Sequence, residues 1–140
     1  MTNAHIFDKT LQNSKAWIEE IKKELKTTDD NRAYLALRTV FHSLRNHLQI
    51  NEAIHLGAEL PMLLRGLYFE GWNPQEKLPQ EKDKKEFLKY FRRYFSEETD
   101  DEIEKMMAAV FKILDSKISL GEIQDVRENL PTHIRKLWLH

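Results

Sequence analysis

Glu52 and His55 form an E-x-x-H pair, with Glu59 one turn further along. On an α-helix, residues at i and i+3 share a face, so a carboxylate and an imidazole at this spacing can ligate one cation. Helical bundles that hold di-iron centres use two such pairs plus two more carboxylates. At an offset of 70 (122 − 52), Glu122 and Asp125 take the places of Glu52 and His55. The five residues together make a carboxylate-rich set whose chemistry would be divalent-metal binding or metal-dependent catalysis. The structural reading of the same residues is simpler. Glu52 and Glu122 fall in the first turns of their helices, where the macrodipole favours a carboxylate, and Ser119-Leu120-Gly121-Glu122 is a capping box. Asp125 in place of His55 means that nothing demands an imidazole in both halves.

A second set is Arg65, Tyr68, Glu70 and Trp72. Arg65 and Arg135 recur seventy residues apart beside apolar helical stretches, and a partly buried guanidinium must be paired. The structural expectation is an ion pair inside each half, to Glu52 or Asp30 in the first and to Glu122 or Asp100 in the second. The functional expectation is that Arg65, Tyr68, Glu70 and Trp72 line a ligand or partner groove at the junction of the halves. Only the first half carries the complete Arg65-Gly66-Leu67-Tyr68-Phe69-Glu70-Gly71-Trp72 run, and aromatic residues with arginine are a common interface composition.

The other candidates carry less. His42 and His47 correspond to Lys112 and Lys117, and His133 to Leu63, so with the terminal His140 all four histidines read as surface residues. No serine or threonine sits in a strand-turn-helix elbow and no glycine-rich loop is placed to cradle phosphate. The strong enzyme signals are absent. Lys82, Lys84, Lys85, Lys89, Arg92 and Arg93 interleave with Phe87, Tyr90, Phe91, Tyr94 and Phe95, which suggests a basic aromatic helix at an anionic membrane surface. The same aromatic residues fit a core stripe, and the acids at Glu97, Glu98 and Asp100 to Glu102 neutralise the patch.

The elements that position these residues come from an internal repeat. Leu60-Pro61 recurs as Leu130-Pro131 and Val40-Phe41 as Val110-Phe111, and Asp30, Leu44, Glu52, Arg65 and Leu67 recur at the same offset. The register needs no gap between residues 17–69 and 87–139. Within each copy the apolar residues fall at helical spacing, as at Trp17, Ile18, Ile21 and Leu25, and nowhere alternate long enough for a strand. Thr99-Asp100-Asp101-Glu102 predicts a capped helix start. Pro61 and Pro131 suit the first turn of a fourth helix, and each forces the leucine before it out of helical geometry. Gly57 and Gly66 lie within helical stretches, and close backbone packing would explain them. Residues 70–86 read as a linker that Trp72 and Leu78 pin to the surface. Residues 1–16 form an arm that extends the first helix, wraps the domain or pairs with another chain.

Composition sets the outer limits. The chain has 140 residues, 41% hydrophobic and 32% charged, with 22 Lys and Arg against 23 Asp and Glu. A net charge of −1 gives no bulk attraction to nucleic acid. The absence of cysteine removes disulfides, thiolate nucleophiles and Cys-ligated metals. A mean hydropathy of −0.64 and no long apolar run exclude a transmembrane helix. The Met1-Thr2-Asn3-Ala4-His5 start has no secretory pattern, which predicts a cytoplasmic protein.

The stretch from Leu60 to Trp72, Leu-Pro-Met-Leu-Leu-Arg-Gly-Leu-Tyr-Phe-Glu-Gly-Trp, resembles the signature of the bacterial family catalogued as domain of unknown function 2267. Phe7-Asp8-Lys9-Thr10-Leu11-Gln12, Arg32-Ala33-Tyr34-Leu35-Ala36-Leu37-Arg38 and Arg135-Lys136-Leu137-Trp138 fit it too. The resemblance spans nearly the whole chain and implies an all-α bacterial protein with no established activity and no catalytic residue to carry over. The expected fold is one all-α domain over residues 1–140, an internally duplicated four-helix module of about eight helices with pseudo-two-fold packing. The expected function is a non-enzymatic binding or scaffold module for a protein or small molecule, with no cofactor and with residues 1–16 available for homodimerisation. The alternatives are the metal set of Glu52, His55, Glu59, Glu122 and Asp125, and membrane-surface association through residues 82–93.

Overall fold

The structure, a computed structural model, describes residues 5–76 and 81–138. The expected surface pin at Leu78 lies outside the described residues, as do residues 1–4 of the arm and the terminal Leu139 and His140. A 3-10 turn, His5–Phe7, leads into α1 (Asp8–Leu25), α2 (Asp30–His47), α3 (Ile50–Ala58) and α4 (Met62–Phe69). After the connector come α5 (Lys84–Arg92), α6 (Asp100–Lys117), α7 (Leu120–Asn129) and α8 (Thr132–Trp138). Among the described residues there is no strand, and no helix is long and apolar enough to cross a membrane.

The helix starts follow local chemistry. Asp29 caps α2 by accepting from the Asn31 N–H, and Asp83 caps α5 by accepting from the Glu86 N–H. Thr99 and Glu102 form the expected reciprocal capping box on α6. Each satisfies a backbone donor that has no partner within its own helix. α2 and α6 end at Leu48 and Ile118, both in extended geometry, so α3 and α7 leave at a corner. Pro61 and Pro131 sit one residue ahead of α4 and α8 rather than inside the first turn. Their carbonyls accept the first helical bonds, from the Arg65 and Arg135 N–H groups at 2.8 and 2.9 Å.

α2 and α6 lie against each other at the centre, and α1 packs across both. Leu37, Val40, Phe41 and Leu44 of α2 meet the core together with Met107, Val110, Phe111 and Leu114 of α6, all buried. Phe41 lies edge-on to Trp17 at 6.1 Å and to Tyr68 at 5.6 Å, and Phe111 stacks on Trp138 at 4.4 Å. Ion pairs at the rim tie α1 to its neighbours: Lys22 to Asp30 at 2.7 Å, Lys112 to Glu24 at 2.9 Å and Lys117 to Glu20 at 2.6 Å.

Several expectations change. Residues 8–16 are the first turns of α1, so this part of the arm extends the first helix. α5 begins at Lys84, so the linker is shorter than 70–86. The capping box at Ser119 does not form, because the Ser119 N–H and hydroxyl both donate to the Glu59 carboxylate at 2.9 Å. Gly57 is needed for close packing, since a Cβ there would stand 2.4 Å from Phe69 Cζ and 3.0 Å from Tyr68 Cδ2. Gly66 is not, as a Cβ there would meet nothing within 4 Å.

The two glycines therefore respond in opposite directions to alanine. Phe69 is held between Tyr68 and Trp72, at 4.9 and 5.6 Å between ring centres, and Gly57→Ala must push it out of that stack. Gly57→Ala lowers stability and the melting temperature with it, whereas Gly66→Ala raises both, stability by up to about 1 kcal/mol from helix propensity alone. Thermal denaturation followed by circular dichroism checks both, and equal shifts would contradict the packing at Gly57.

Candidate functional site

α3 packs on α7, and their first turns bring Glu52 and Glu122 face to face. One ligand atom each from Glu52, His55 and Glu122 lie within 4.8 Å of one another. Oε1 of Glu52 and Oε1 of Glu122 are both sealed from solvent and accept from no donor. Two ionised carboxylates cannot rest in that arrangement. Burial first, then a hydrogen bond to Glu52 and repulsion from Glu52, Glu59 and Asp125, push the Glu122 carboxyl up to about 8. At neutral pH the Glu122 carboxyl therefore keeps its proton. The set takes three of the five residues that the sequence singled out. Glu59 is the C-cap of α3, off its helical face, and its carboxylate is taken by Ser119. Asp125 is exposed on α7 and stays outside the cluster, its side chain one methylene shorter than the glutamates.

The other predicted set does not converge on one groove. The Arg65 guanidinium donates to three carbonyls at the end of α3, those of Gly57, Ala58 and Leu60, at 3.2, 3.0 and 3.0 Å. Arg135 repeats this on Arg127, Glu128 and Leu130 at 2.8, 3.0 and 3.0 Å. Both arginines therefore cap the preceding helix, whose last carbonyls have no intrahelical donor. Neither meets the carboxylate that the sequence suggested, because the corner at each proline turns the helix end towards the arginine. Tyr68 is fully buried and donates its hydroxyl to the Ala53 carbonyl at 2.8 Å. Trp72 is half-buried against Phe69, and Glu70 lines an open groove that Arg65, Tyr68 and Trp72 do not line.

Two buried polar residues escaped the sequence reading. His42, taken there as a surface residue, is buried in α2 with Nε2 2.8 Å from the Leu67 carbonyl, and burial holds its pKa below the usual value. Arg45 is buried one turn on and donates to the carbonyls of Tyr68 and Glu70 at 2.8 and 2.6 Å. Together they fix the end of α4. His47 is also mostly covered, between the Ser43 carbonyl and the Glu81 carboxylate. His133 packs its ring on Phe87 at 5.8 Å. On α5, Phe87, Leu88 and Phe91 are buried, while Lys84 and Arg92 pair with Glu104 and Asp100.

A groove of about 730 Å³ runs between α1, the start of α2 and α4. Leu11, Ile18, Tyr34, Leu63 and Leu67 supply its apolar wall, with Lys15, Glu19, Asp30 and Glu70 among its polar residues. Leu11, Tyr34 and Leu63 are 43%, 41% and 53% exposed. At its end, the Leu63 N–H donates to Thr10 Oγ1 at 3.0 Å, which ties α4 to the extra turns of α1.

These features define an all-α protein with an apolar groove and a half-buried carboxylate pair. The chain belongs to the family described as an uncharacterised conserved protein, DUF2267, whose model matches residues 14–137. No curated protein matches it.

The carboxylate pair makes stability depend on pH. In the unfolded chain Glu122 loses its proton near the ordinary value of 4.5, and in the fold near 8. A raised carboxyl pKa means the folded state binds more protons across that interval, so its stabilising contribution is complete below 4.5 and is lost as pH rises through 8. His42 opposes this only below about pH 6.5, where an unfolded imidazole begins to charge. Between pH 7 and 8.5 the melting temperature falls, and Glu122→Gln flattens that fall. Thermal melts of both proteins across the interval check it, and parallel slopes would overturn the raised Glu122 carboxyl.

Proposed function

We propose that this chain is a non-enzymatic helical binding protein whose groove between α1 and α4 takes a second copy of the same chain. The observation that carries the reading is the open apolar groove of about 730 Å³, one wall of which is α1, the helix that the exposed apolar 3-10 turn leads into. The 3-10 turn buries none of its residues, and Ile6 and Phe7 are 83% and 53% exposed. Exposed apolar side chains thus precede the helix that forms one wall of the groove. A two-fold axis through such a surface lets each copy seat its projection in the other, which is the geometry of an isologous dimer. Leaving this patch in water is unfavourable, since large exposed apolar patches are uncommon on monomers. Charge does not oppose the pairing: the chain carries a net −1, and the groove mixes Lys15 with Glu19, Asp30 and Glu70.

The rest of the polar inventory supports a binding role over catalysis. Tyr68, His42, Arg45, Arg65 and Arg135 each hold backbone carbonyls and position helices. None of these five residues lines the groove. The apolar wall offers a fit to another helix and little purchase for a small polar substrate.

Sedimentation equilibrium tests the reading. The wild-type chain sediments as a dimer at roughly 100 µM, and Leu63→Glu, placed on an exposed wall residue, sediments as a folded monomer. A monomeric wild type, or a variant that still dimerises, would contradict the proposal.

A further inference from the structure

We infer that Glu52, His55 and Glu122 form a site for one divalent transition-metal ion of the zinc type at the α3–α7 junction. The inference is independent of the groove, and neither result decides the other. Three observations carry it. The donors are mixed, two carboxylates and one imidazole, and one ligand atom from each lies within 4.8 Å of the others. They come from two helices packed together, so the arrangement is fixed by α3 and α7 and not by a loop. Oε1 of Glu52 and Oε1 of Glu122 are sealed from water and accept from no donor in the protein. Each buried oxygen has lost its hydration, and a carboxylate left in that state is costly. Something positive has to lie between them.

A proton satisfies the two carboxylates but gives the imidazole no part. A cation uses all three donors. His55 is exposed and at i+3 from Glu52, so a rotation of its side chain closes the distance to bond lengths of about 2.0–2.2 Å. The donor count selects the metal: calcium takes six to eight oxygens, and magnesium keeps several waters around one or two carboxylates. One nitrogen with two carboxylate oxygens suits zinc and its neighbours in the transition series. Glu59 and Asp125 lie near enough to act on the Glu122 carboxyl, which adds negative potential around the ion.

Zinc titrated into the full chain, followed by isothermal calorimetry and native mass spectrometry at pH 7.5 with excess magnesium present, tests this. The wild type retains one zinc per chain, and its melting temperature rises on loading. Glu122→Gln, which keeps a folded α3–α7 contact, and His55→Ala, which alters an exposed side chain, each weaken zinc at least about tenfold and abolish the thermal shift. Circular dichroism verifies that both variants remain helical. No retained zinc on the wild type would overturn the site and leave a proton alone in the gap. Equal zinc on wild type and both variants would overturn it too, by assigning the ion to the other histidines.

Discussion

The burial of α2 and α6 against each other is the constraint on which the rest of the structure depends. Ten of the eighteen residues of α2 are buried, so this helix must be covered on several sides and not along one stripe. Its cover comes from α1, α4 and α6. Such a helix also carries polar groups inward: Thr39, His42, Ser43 and Arg45 are all buried. Thr39 returns its hydroxyl to the Leu35 carbonyl at 2.6 Å, while His42 and Arg45 spend theirs on α4. The position of α4 is therefore set by hydrogen bonds that burial makes obligatory, and the groove between α4 and α1 follows from it.

The apolar half of this organisation is legible in the sequence. The helical spacing of Leu37, Val40, Phe41 and Leu44, and of the four residues seventy positions later, gives the buried faces of both central helices. Thr99 and Glu102 announce a helix start that the structure contains. Polar positions are harder because their partners are chosen by tertiary geometry. Arg65 beside an apolar helix announces a need for acceptors, yet a sequence cannot distinguish a carboxylate from the free carbonyls of a helix end. His42 faces the interior only because α4 arrives above it. The lysine at the corresponding position 112 instead reaches Glu24 at the surface.

The candidate sites divide in the same way. Glu52 and His55 are local, three residues apart on one helix, and their shared face is a matter of helical period. That Glu122 meets them depends on α3 packing against α7, a tertiary contact between helices of the two halves. Glu59 falls out of the set for a local reason: α3 stops at Ala58. The groove depends on an asymmetry between the halves. α1 has eighteen residues and α5 nine, and the extra turns of α1 put Leu11 beside Leu63. The arm was visible in the sequence, but the wall that it lies against was not.

Further differences between the halves fall at the end of α4 and α8. His42 and Arg45 hold the α4 carbonyls, whereas in the second half Asp115 accepts from Trp138 Nε1 at 2.9 Å and pairs with Arg127 at 3.0 Å. The two halves share a core and differ at their edges, and the proposed pairing face lies on the first. The chain has no cysteine, so one introduced residue takes a spin label cleanly, and the most direct measurement is a dipolar distance between labels in solution. Labels at Lys15→Cys, exposed on α1 and lining the groove, give one narrow intermolecular distance, while labels at Lys105→Cys on α6 give a distinct and longer one. No intermolecular distance at Lys15→Cys, or a short one at Lys105→Cys alone, would contradict pairing through the α1–α4 face.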